Sequence, residues 1–305
     1  MEPRYIGGQA VMEGVMMRNG NRVSIAVRKP DGQIEIETEE RVSLSQTYPV
    51  LGLPLVRGAV VLVESTVLGM QALTRSANMS TGEDEEELTG WQLTLTLLAS
   101  FVLAVFLFVL APVYAAKWLS DSGVSFAAAE GAVRLAVFVG YIGLISRMKE
   151  IRRVFEYHGA EHKTINCYEA GDPLTVDNVR RHTLLHKRCG TSFLLFVVLI
   201  SIFLFSFFSG EQLSMSAKVG IRIALLPVIA GLAYELIRWS ARQSSQWSLW
   251  FIAPGLMMQK LTTREPDDSQ IEVAIASVLA VLSPEQPVVC VKESFELVEA
   301  ANEGT

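Results

Sequence analysis

Four long runs of apolar residues dominate the pattern of this chain. They are residues 91–116, 131–146, 193–208 and 219–239. A helix of about 20 apolar residues crosses a hydrocarbon core of about 30 Å, so the pattern predicts four transmembrane helices. The second run contains Arg134, and the fourth contains Arg222 and Glu235. Because charged groups are costly in lipid, we expect both arginines to face protein or water, pairing helices or contacting anions.

The amino-terminal pattern is of a different kind. Residues 22–28 and 33–38 alternate apolar and polar positions around a Lys-Pro-Asp-Gly turn, which predicts a β-hairpin. Glycines punctuate residues 7–20, and this predicts a series of tight turns, with a mobile loop over a site as the alternative. Residues 54–77 have helical spacing, and we place this helix at the membrane surface or against other helices. Its alternative is a fifth membrane helix, re-entrant or spanning, which would put the amino terminus outside.

The carboxy-terminal pattern predicts three further elements. Residues 239–260 carry aromatic side chains suited to the lipid headgroup level, and Pro254 with Gly255 should then break the chain. These aromatic residues are Trp239, Trp247, Trp250 and Phe251. Residues 262–282 begin with capping residues and continue with one apolar face, which predicts an amphipathic helix. Residues 288–298 are interpreted as a strand that joins the hairpin.

These elements predict a mainly α, polytopic membrane protein with small cytosolic α+β parts at both ends. Residues 1–90 form the first part, with the hairpin and the interfacial helix. Residues 91–239 form a four-helix membrane domain with a cytosolic, histidine-containing loop over residues 147–192. Residues 240–305 form an interfacial and cytosolic tail.

Composition agrees with the membrane interpretation. The 305 residues are 50% hydrophobic and 19% charged, with a mean hydropathy of +0.33, which is too apolar for an ordinary soluble domain. The net charge of −6 comes partly from the acidic run at residues 83–87, which we interpret as a solvated linker. No basic face suggests nucleic-acid binding, and residues 1–14 lack the apolar core of a signal peptide.

The loop charges predict the orientation. Eight Lys and Arg residues precede the first predicted span and nine lie between the second and third, whereas the other two connections carry one each. By the positive-inside rule, both termini and the loop with the histidines face the cytoplasm. The three cysteines, Cys167, Cys189 and Cys290, fall on that side, so a structural disulfide is not expected.

All four histidines lie between residues 158 and 186, as two pairs with a spacing of four. The first pair reads H-x-x-E-H, with His158, Glu161 and His162. Residues four apart share one helix face, so two imidazoles can reach one ion beside the carboxylate. In this arrangement the histidines bind zinc and the glutamate is the general base. Isolated surface or core histidines are the alternative.

A third ligand is needed for such an ion. Glu235 is the first candidate, because an ionisable residue in a membrane helix needs a partner or a ligand role, and it is placed at the cytoplasmic end of the fourth span. Pairing with Arg238 is its alternative. Glu169 and Asp172 are the substitutes closest in sequence.

The second histidine pair, His182 and His186, either completes this site or builds a second one. If the pairs do not meet, the second could bind an acidic headgroup together with neighbouring basic residues. These are Arg180, Arg181, Lys187 and Arg188. Cys189 is a candidate ligand or nucleophile, although a small apolar thiol at a helix start is an equal interpretation.

Several motifs together resemble the YqhQ-like family of bacterial membrane proteins, a domain-of-unknown-function family labelled as a predicted metal-dependent enzyme. They are GGQAVMEGVMMR, YHGAEHKTINCYE, HTLLHKRCGTSFLL, AYELIR and PGLMMQKLTTREPDDSQIEVA. The resemblance implies a metal site at the positions of the histidine motifs, Cys189 and Glu235. The chain has Lys187 where the family pattern has proline, which leaves the histidines and the cysteine in place.

These observations predict a metal-dependent hydrolase that acts on a membrane-associated peptide or lipid, with Glu161 as the base. Zinc is the favoured divalent metal, and iron or manganese is the alternative, including a di-iron or redox centre. The rival function is a non-catalytic membrane scaffold or transport accessory protein with a structural metal. The expected partner is the lipid bilayer, nucleic acid is not, and a homo-oligomer is left open.

Overall fold

The computed structural model describes residues 6–80, 90–120, 123–209, 213–241 and 246–282. The strands are β1 (Ile6–Val11), β2 (Gly14–Asn19), β3 (Arg22–Arg28) and β4 (Ile34–Glu40). The helices are α1 (Leu44–Thr47), α2 (Val56–Ser80), α3 (Gly90–Val105), α4 (Ala111–Leu119), α5 (Gly123–Ile145), α6 (Lys149–Ala170), α7 (Val176–Arg181), α8 (Gly190–Ser206), α9 (Met215–Ala241), α10 (Gln246–Thr262) and α11 (Asp268–Leu282). A 3-10 turn over Pro49–Gly52 precedes α2, and a π-helical segment over Phe106–Leu110 joins α3 to α4.

The four strands form one antiparallel sheet in the order β1-β2-β3-β4. The predicted hairpin is confirmed as β3 and β4. The interpretation of residues 7–20 as turns is wrong, because they form β1 and β2. Both faces of these strands are covered by helices, so the run is apolar on both sides and lacks the alternation that marks a half-exposed strand.

The sheet lies between two layers of helix. Leu68 and Ala72 of α2 pack with Val11 and other side chains of one face. The second face contacts α6 and α11. Ser24 of β3 donates through Oγ to the carbonyl oxygen of Ser277 in α11, at 2.7 Å and fully buried. The packing therefore joins the amino-terminal sheet to helices from the middle and the end of the sequence.

The helix over residues 54–77 is confirmed as α2, and it packs on two neighbours. Near its start, Gly58 lies so close to α9 that a Cβ there would be 2.8 Å from the Cα of Gly231. Near its end, Ser76 Oγ accepts a hydrogen bond of 3.1 Å from the amide of Met12 in the β1–β2 turn. This helix thus connects the helical bundle to the sheet.

In the part of the chain that the structure describes, four helical stretches are long and apolar enough to cross a membrane. They are Val56–Ser80, Thr94–Leu119, Gly123–Ile145 and Met215–Trp239. Three of them correspond to predicted spans. The predicted span over residues 193–208 corresponds to α8, a shorter apolar helix of 17 residues, and α2 joins the set instead.

Arg134 and Arg222 face protein, as expected. Both donate to Glu130 of α5, at 2.6 Å for Arg134 Nη2 and 2.7 Å for Arg222 Nε. All three side chains are buried, and Arg222 is fully so. The Glu130 carboxylate therefore links α5 to α9 through Arg222, while Arg134 pairs with it on the same helix.

The predicted carboxy-terminal helix is confirmed as α11. The break expected at Pro254 is wrong, since α10 continues through it. Gly255 lies against α8, where a Cβ would be 2.8 Å from Ser192 Cβ. The acidic run at residues 83–87, the strand expected at residues 288–298 and Cys290 lie outside the described residues.

Candidate metal centre

The H-x-x-E-H motif lies in the second half of α6, where the helix is buried. The helix ends at Gly171, whose positive φ of 78° provides a left-handed cap. His158 and His162 share a face, with ring centroids 4.4 Å apart. His162 is 1% exposed, although α6 as a whole is polar. The predicted one-face arrangement of the two imidazoles is therefore present.

Backbone carbonyls fix the tautomers of both rings. His158 Nδ1 lies 2.8 Å from the carbonyl oxygen of Thr262, and His162 Nδ1 lies 2.5 Å from that of Leu184. A carbonyl oxygen only accepts, so each Nδ1 is the donor and each neutral ring carries its lone pair on Nε2. In metalloproteins, a hydrogen bond from the other ring nitrogen commonly orients an imidazole that binds the metal.

Cys189 completes a group of three ligand atoms. It is the N-cap residue of α8, and its Sγ lies 3.2 Å from His158 Nε2. One ligand atom each from His158, His162 and Cys189 lies within 4.8 Å of the others. Without a metal, the thiol can donate to the imidazole lone pair; with one, sulfur and both nitrogens can converge on it.

A second, independent observation indicates that these residues suit a metal ion. Among the described residues, the buried His162 Nε2 finds no hydrogen-bond partner, and the same is true of His186 Nε2. Burying a polar atom without a partner costs about 1–3 kcal/mol, so such atoms call for an explanation. A coordinated ion would satisfy the nitrogen of His162.

His186 borders this group. Its ring centroid lies 5.5 Å from that of His162. The fully buried Gln259 fixes its backbone, because Oε1 accepts from the His186 amide at 2.9 Å and Nε2 donates to its carbonyl at 2.8 Å. The second histidine pair is therefore divided, with His186 next to the candidate centre.

Glu161 lies beside both rings. Its Oε2 is 3.8 Å from His158 Nε2 and 3.9 Å from His162 Nε2, and its side chain is 6% exposed. On its other side is Gly8 of β1, where a Cβ would lie 2.8 Å from Glu161 Cγ. The carboxylate is thus enclosed between the ligand face of α6 and the edge strand of the sheet.

The other predicted ligands lie in different surroundings. Glu235 forms a two-point ion pair with Arg57, at 2.6 and 2.5 Å, in place of the predicted contact with the histidines. Glu169 accepts from Arg188 and lies 3.7 Å from His186 Nε2. Burial raises the pKa of the Glu169 carboxyl, but His186 and Arg188 outweigh it and bring that pKa down to about 2.

His182 belongs to a second group. Its Nε2 lies 2.9 Å from Asp172 Oδ2, and these two residues form a cluster with Cys167. The Cys167 sulfur contacts the carbonyl oxygens of Asp172 and Pro173 at 3.8 and 3.6 Å. Burial, with a smaller contribution from Asp172, raises the pKa of the Cys167 thiol. This environment favours the neutral thiol over the thiolate that metals bind.

Some functional positions were missed in the sequence. Gln259 and Thr262 fall within the motif PGLMMQKLTTR, yet a carbonyl that orients an imidazole has no sequence signature. Gly8 falls within the glycine run, and its role depends on a contact with residue 161 that is distant in sequence.

Comparison with known proteins identifies the family. Residues 53–284 match the family model described as "Protein of unknown function (DUF1385)". The chain is 35% identical over 292 residues to "Uncharacterized protein YqhQ" of Bacillus subtilis (strain 168), over 90% of this chain and 91% of that protein. No solved structure matches the chain. The chain therefore belongs to the DUF1385 family, the family of YqhQ.

Proposed function

We propose that this protein is a zinc-dependent hydrolase at the cytoplasmic face of the membrane, acting on a membrane-associated substrate. One observation carries the proposal. One ligand atom each of His158, His162 and Cys189 lies within 4.8 Å of the others, and both histidine Nδ1 atoms are engaged by backbone carbonyls. Three protein ligands leave the fourth position of a tetrahedral zinc for water or substrate, as in catalytic sites.

The donor set favours zinc. Imidazole nitrogen and thiolate sulfur are the ligands of zinc, whereas manganese prefers oxygen. Iron accepts the same donors and is the alternative metal. The Oε2 atom of Glu161 lies 3.8 and 3.9 Å from the Nε2 atoms of His158 and His162, near enough for the carboxylate to act on water at the site.

The chemistry divides between the ion and the chain. When bound, the metal supplies a Lewis acid and lets water lose a proton near neutral pH. Glu161 takes that proton as the water oxygen bonds to the substrate carbonyl carbon. The bond to the leaving group then breaks, and Glu161 returns the proton to the leaving group. Gly8 leaves room for the carboxylate beside β1.

Membrane attachment supports the choice of substrate. The four apolar helical stretches suggest a membrane protein. The excess of Lys and Arg before the first predicted span and between the second and third supports cytoplasmic termini and a cytoplasmic site.

A structural metal in a non-catalytic scaffold is the second candidate. It is favoured by His186, whose ring lies 5.5 Å from that of His162. The buried Nε2 of His186 makes no hydrogen bond with the described residues and lies 3.7 Å from Glu169 Oε2. If His186 supplied a fourth protein ligand, the site would be closed, as structural zinc sites are.

A paired assay separates the two functions. The detergent-purified protein is offered a chromogenic acyl ester and a fluorogenic hydrophobic peptide in mixed micelles, and metal content is measured on the same samples. We expect one substrate to be cleaved, with Glu161→Gln keeping the metal and losing turnover by about 100-fold or more. Turnover equal to wild type in Glu161→Gln, with metal retained, would exclude Glu161 as the general base. No cleavage of either substrate by metal-loaded wild-type protein would contradict the hydrolase and leave the scaffold.

A further inference from the structure

An apolar groove runs beside the candidate metal centre. It lies between α2, α8 and α9 and has a volume of about 540 Å³. One stripe of α2 lines it over about four turns, from Gly58 to Leu73, facing Phe193 and Ile237 of the other two helices. Polar atoms are few along this length, so the groove suits a hydrocarbon ligand.

The groove has an inner end at the site. Cys189 and Gln9 line it there, and Gln9 neighbours Gly8, against which Glu161 packs. At the far end Gly58 and Tyr234 mark where α2 meets α9 within the helical bundle. A ligand lying in the groove would therefore run from the apolar helices to the candidate ligand Cys189.

The dimensions select the occupant. The stripe from Gly58 to Leu73 covers 15 residue steps, about 22 Å along a helix. A groove of about 540 Å³ along that length has room for one extended hydrocarbon chain. An α-helix about 10 Å across and about 22 Å long fills roughly 1,700 Å³, several times the volume of the groove.

The open side of the groove supports lipid entry. Leu62 is 36% exposed, and Ser65 and Thr66 beside it are exposed as well. The walls belong to α2 and α9, which are both long and apolar enough to lie in a bilayer. A lipid chain could enter sideways from the membrane without first leaving it.

We infer that the groove between α2, α8 and α9 binds one acyl chain of a bilayer lipid, with the carbonyl head of the chain at Cys189. This rests on the proposed function in naming the substrate as a lipid ester. Hydrolysis there adds the water oxygen to the acyl carbon, breaks the ester bond and releases a fatty acid and an alcohol. Binding of the chain itself does not require the metal.

Photocrosslinking tests the inference. The full-length protein is reconstituted into phosphatidylethanolamine–phosphatidylglycerol vesicles in which the phosphatidylglycerol carries a diazirine on one acyl chain. Crosslinked peptides are mapped by mass spectrometry. We expect crosslinks on the α2 stripe and on the start of α8 to exceed those on the exposed lipid-facing residue Phe101 of α3.

Two matched variants sharpen the test. Thr66→Trp fills the groove and should lower the groove crosslinks about tenfold, the effect expected when a site is overpacked. Val63→Trp lies on the same helix, is 62% exposed and does not line the groove, so it should leave them unchanged. Retained metal in Thr66→Trp would show that this variant is folded.

Each outcome decides something. Equal crosslinking in the two tryptophan variants, or crosslinks no stronger than on α3, would overturn the inference. Displacement of the groove crosslinks by a hydrophobic helical peptide, and not by excess unlabelled lipid, would assign the groove to a peptide and also overturn it. The His158→Ala/His162→Ala variant should keep the crosslinks. If they persist while no ester is hydrolysed by wild type, the proposed function fails and the lipid groove stands.

Discussion

At the scale of single residues, the role of each histidine follows from what its other nitrogen contacts. His158 and His162 donate through Nδ1 to carbonyl oxygens, so both present a lone pair on Nε2. His182 instead directs Nε2 to the carboxylate of Asp172. The spacing of four predicted that each pair would share a face, and it succeeded for the first pair. It could not separate the pairs, because the 182–186 segment is largely irregular and is held by Gln259.

Glu235 shows the limit of sequence reasoning at this scale. A carboxylate in a membrane helix was expected to need a partner, and the Glu235 side chain does form an ion pair. The partner is Arg57, which is 178 positions away in the chain. Such a pairing depends on how α2 docks on α9, and no local pattern encodes it.

Cys167 and Cys189 should differ in alkylation. Burial and Asp172 raise the pKa of the Cys167 thiol, so its thiolate is scarce at pH 7 and grows only as pH rises through the raised pKa. We expect Cys167 to resist iodoacetamide at pH 7 in the folded protein, to react faster at higher pH, and to ignore chelators. Cys189 should become more reactive when a chelator is added. Labelling of each cysteine is read by site-resolved mass spectrometry. If a chelator increased the labelling of Cys167 and not that of Cys189, Cys189 would be excluded as a ligand.

At the scale of elements, the contact between β1 and α6 positions Glu161, the proposed general base. The apolar periodicity predicted the helices well, and the hairpin of β3 and β4 was clear from alternation and its turn. β1 and β2 were missed because α2 covers one face of the sheet and α6 with α11 covers the other. A strand buried on both sides loses the period of two on which its recognition depends.

Gly8→Ala should impair catalysis while sparing the metal. The added Cβ would lie 2.8 Å from Glu161 Cγ and 2.9 Å from its Oε1, so the carboxylate must move. A displacement of about 1 Å in a catalytic group costs on the order of 100-fold in turnover. Gly7→Ala is the control, because no atom of the described residues lies within 4 Å of a Cβ there. Equal turnover in the two variants, measured with metal content, would remove Glu161 from the mechanism.

At the scale of the whole molecule, the buried carboxylate of Glu130 links two helices of the bundle, α5 and α9. Glu130 pairs with Arg134 on its own helix and with Arg222 on α9, and all three are nearly inaccessible. Composition and hydropathy predicted that these helices are apolar and that the arginines face protein. Glu130 was not predicted as their partner, because the register of α5 against α9 is set by packing and not by a local sequence pattern.

Glu130→Gln should destabilise the protein strongly. Removing the negative charge leaves two buried guanidinium groups uncompensated, which costs about 3–5 kcal/mol when a buried ion pair is broken. Glu150→Gln, at an exposed position in the first turn of α6, should change stability by about 0.5 kcal/mol or less. Thermal unfolding in detergent compares them, and similar melting temperatures would contradict the role of this network.

The proposed function requires a metal bound by His158, His162 and Cys189. Elemental analysis of the detergent-purified protein tests this most directly, with His158→Ala/His162→Ala and His182→Ala beside it. We predict about one equivalent of zinc per chain in wild type, kept in His182→Ala and lost in the double variant. Wild-type protein without metal, or equal loss of metal in His182→Ala, would contradict the candidate centre.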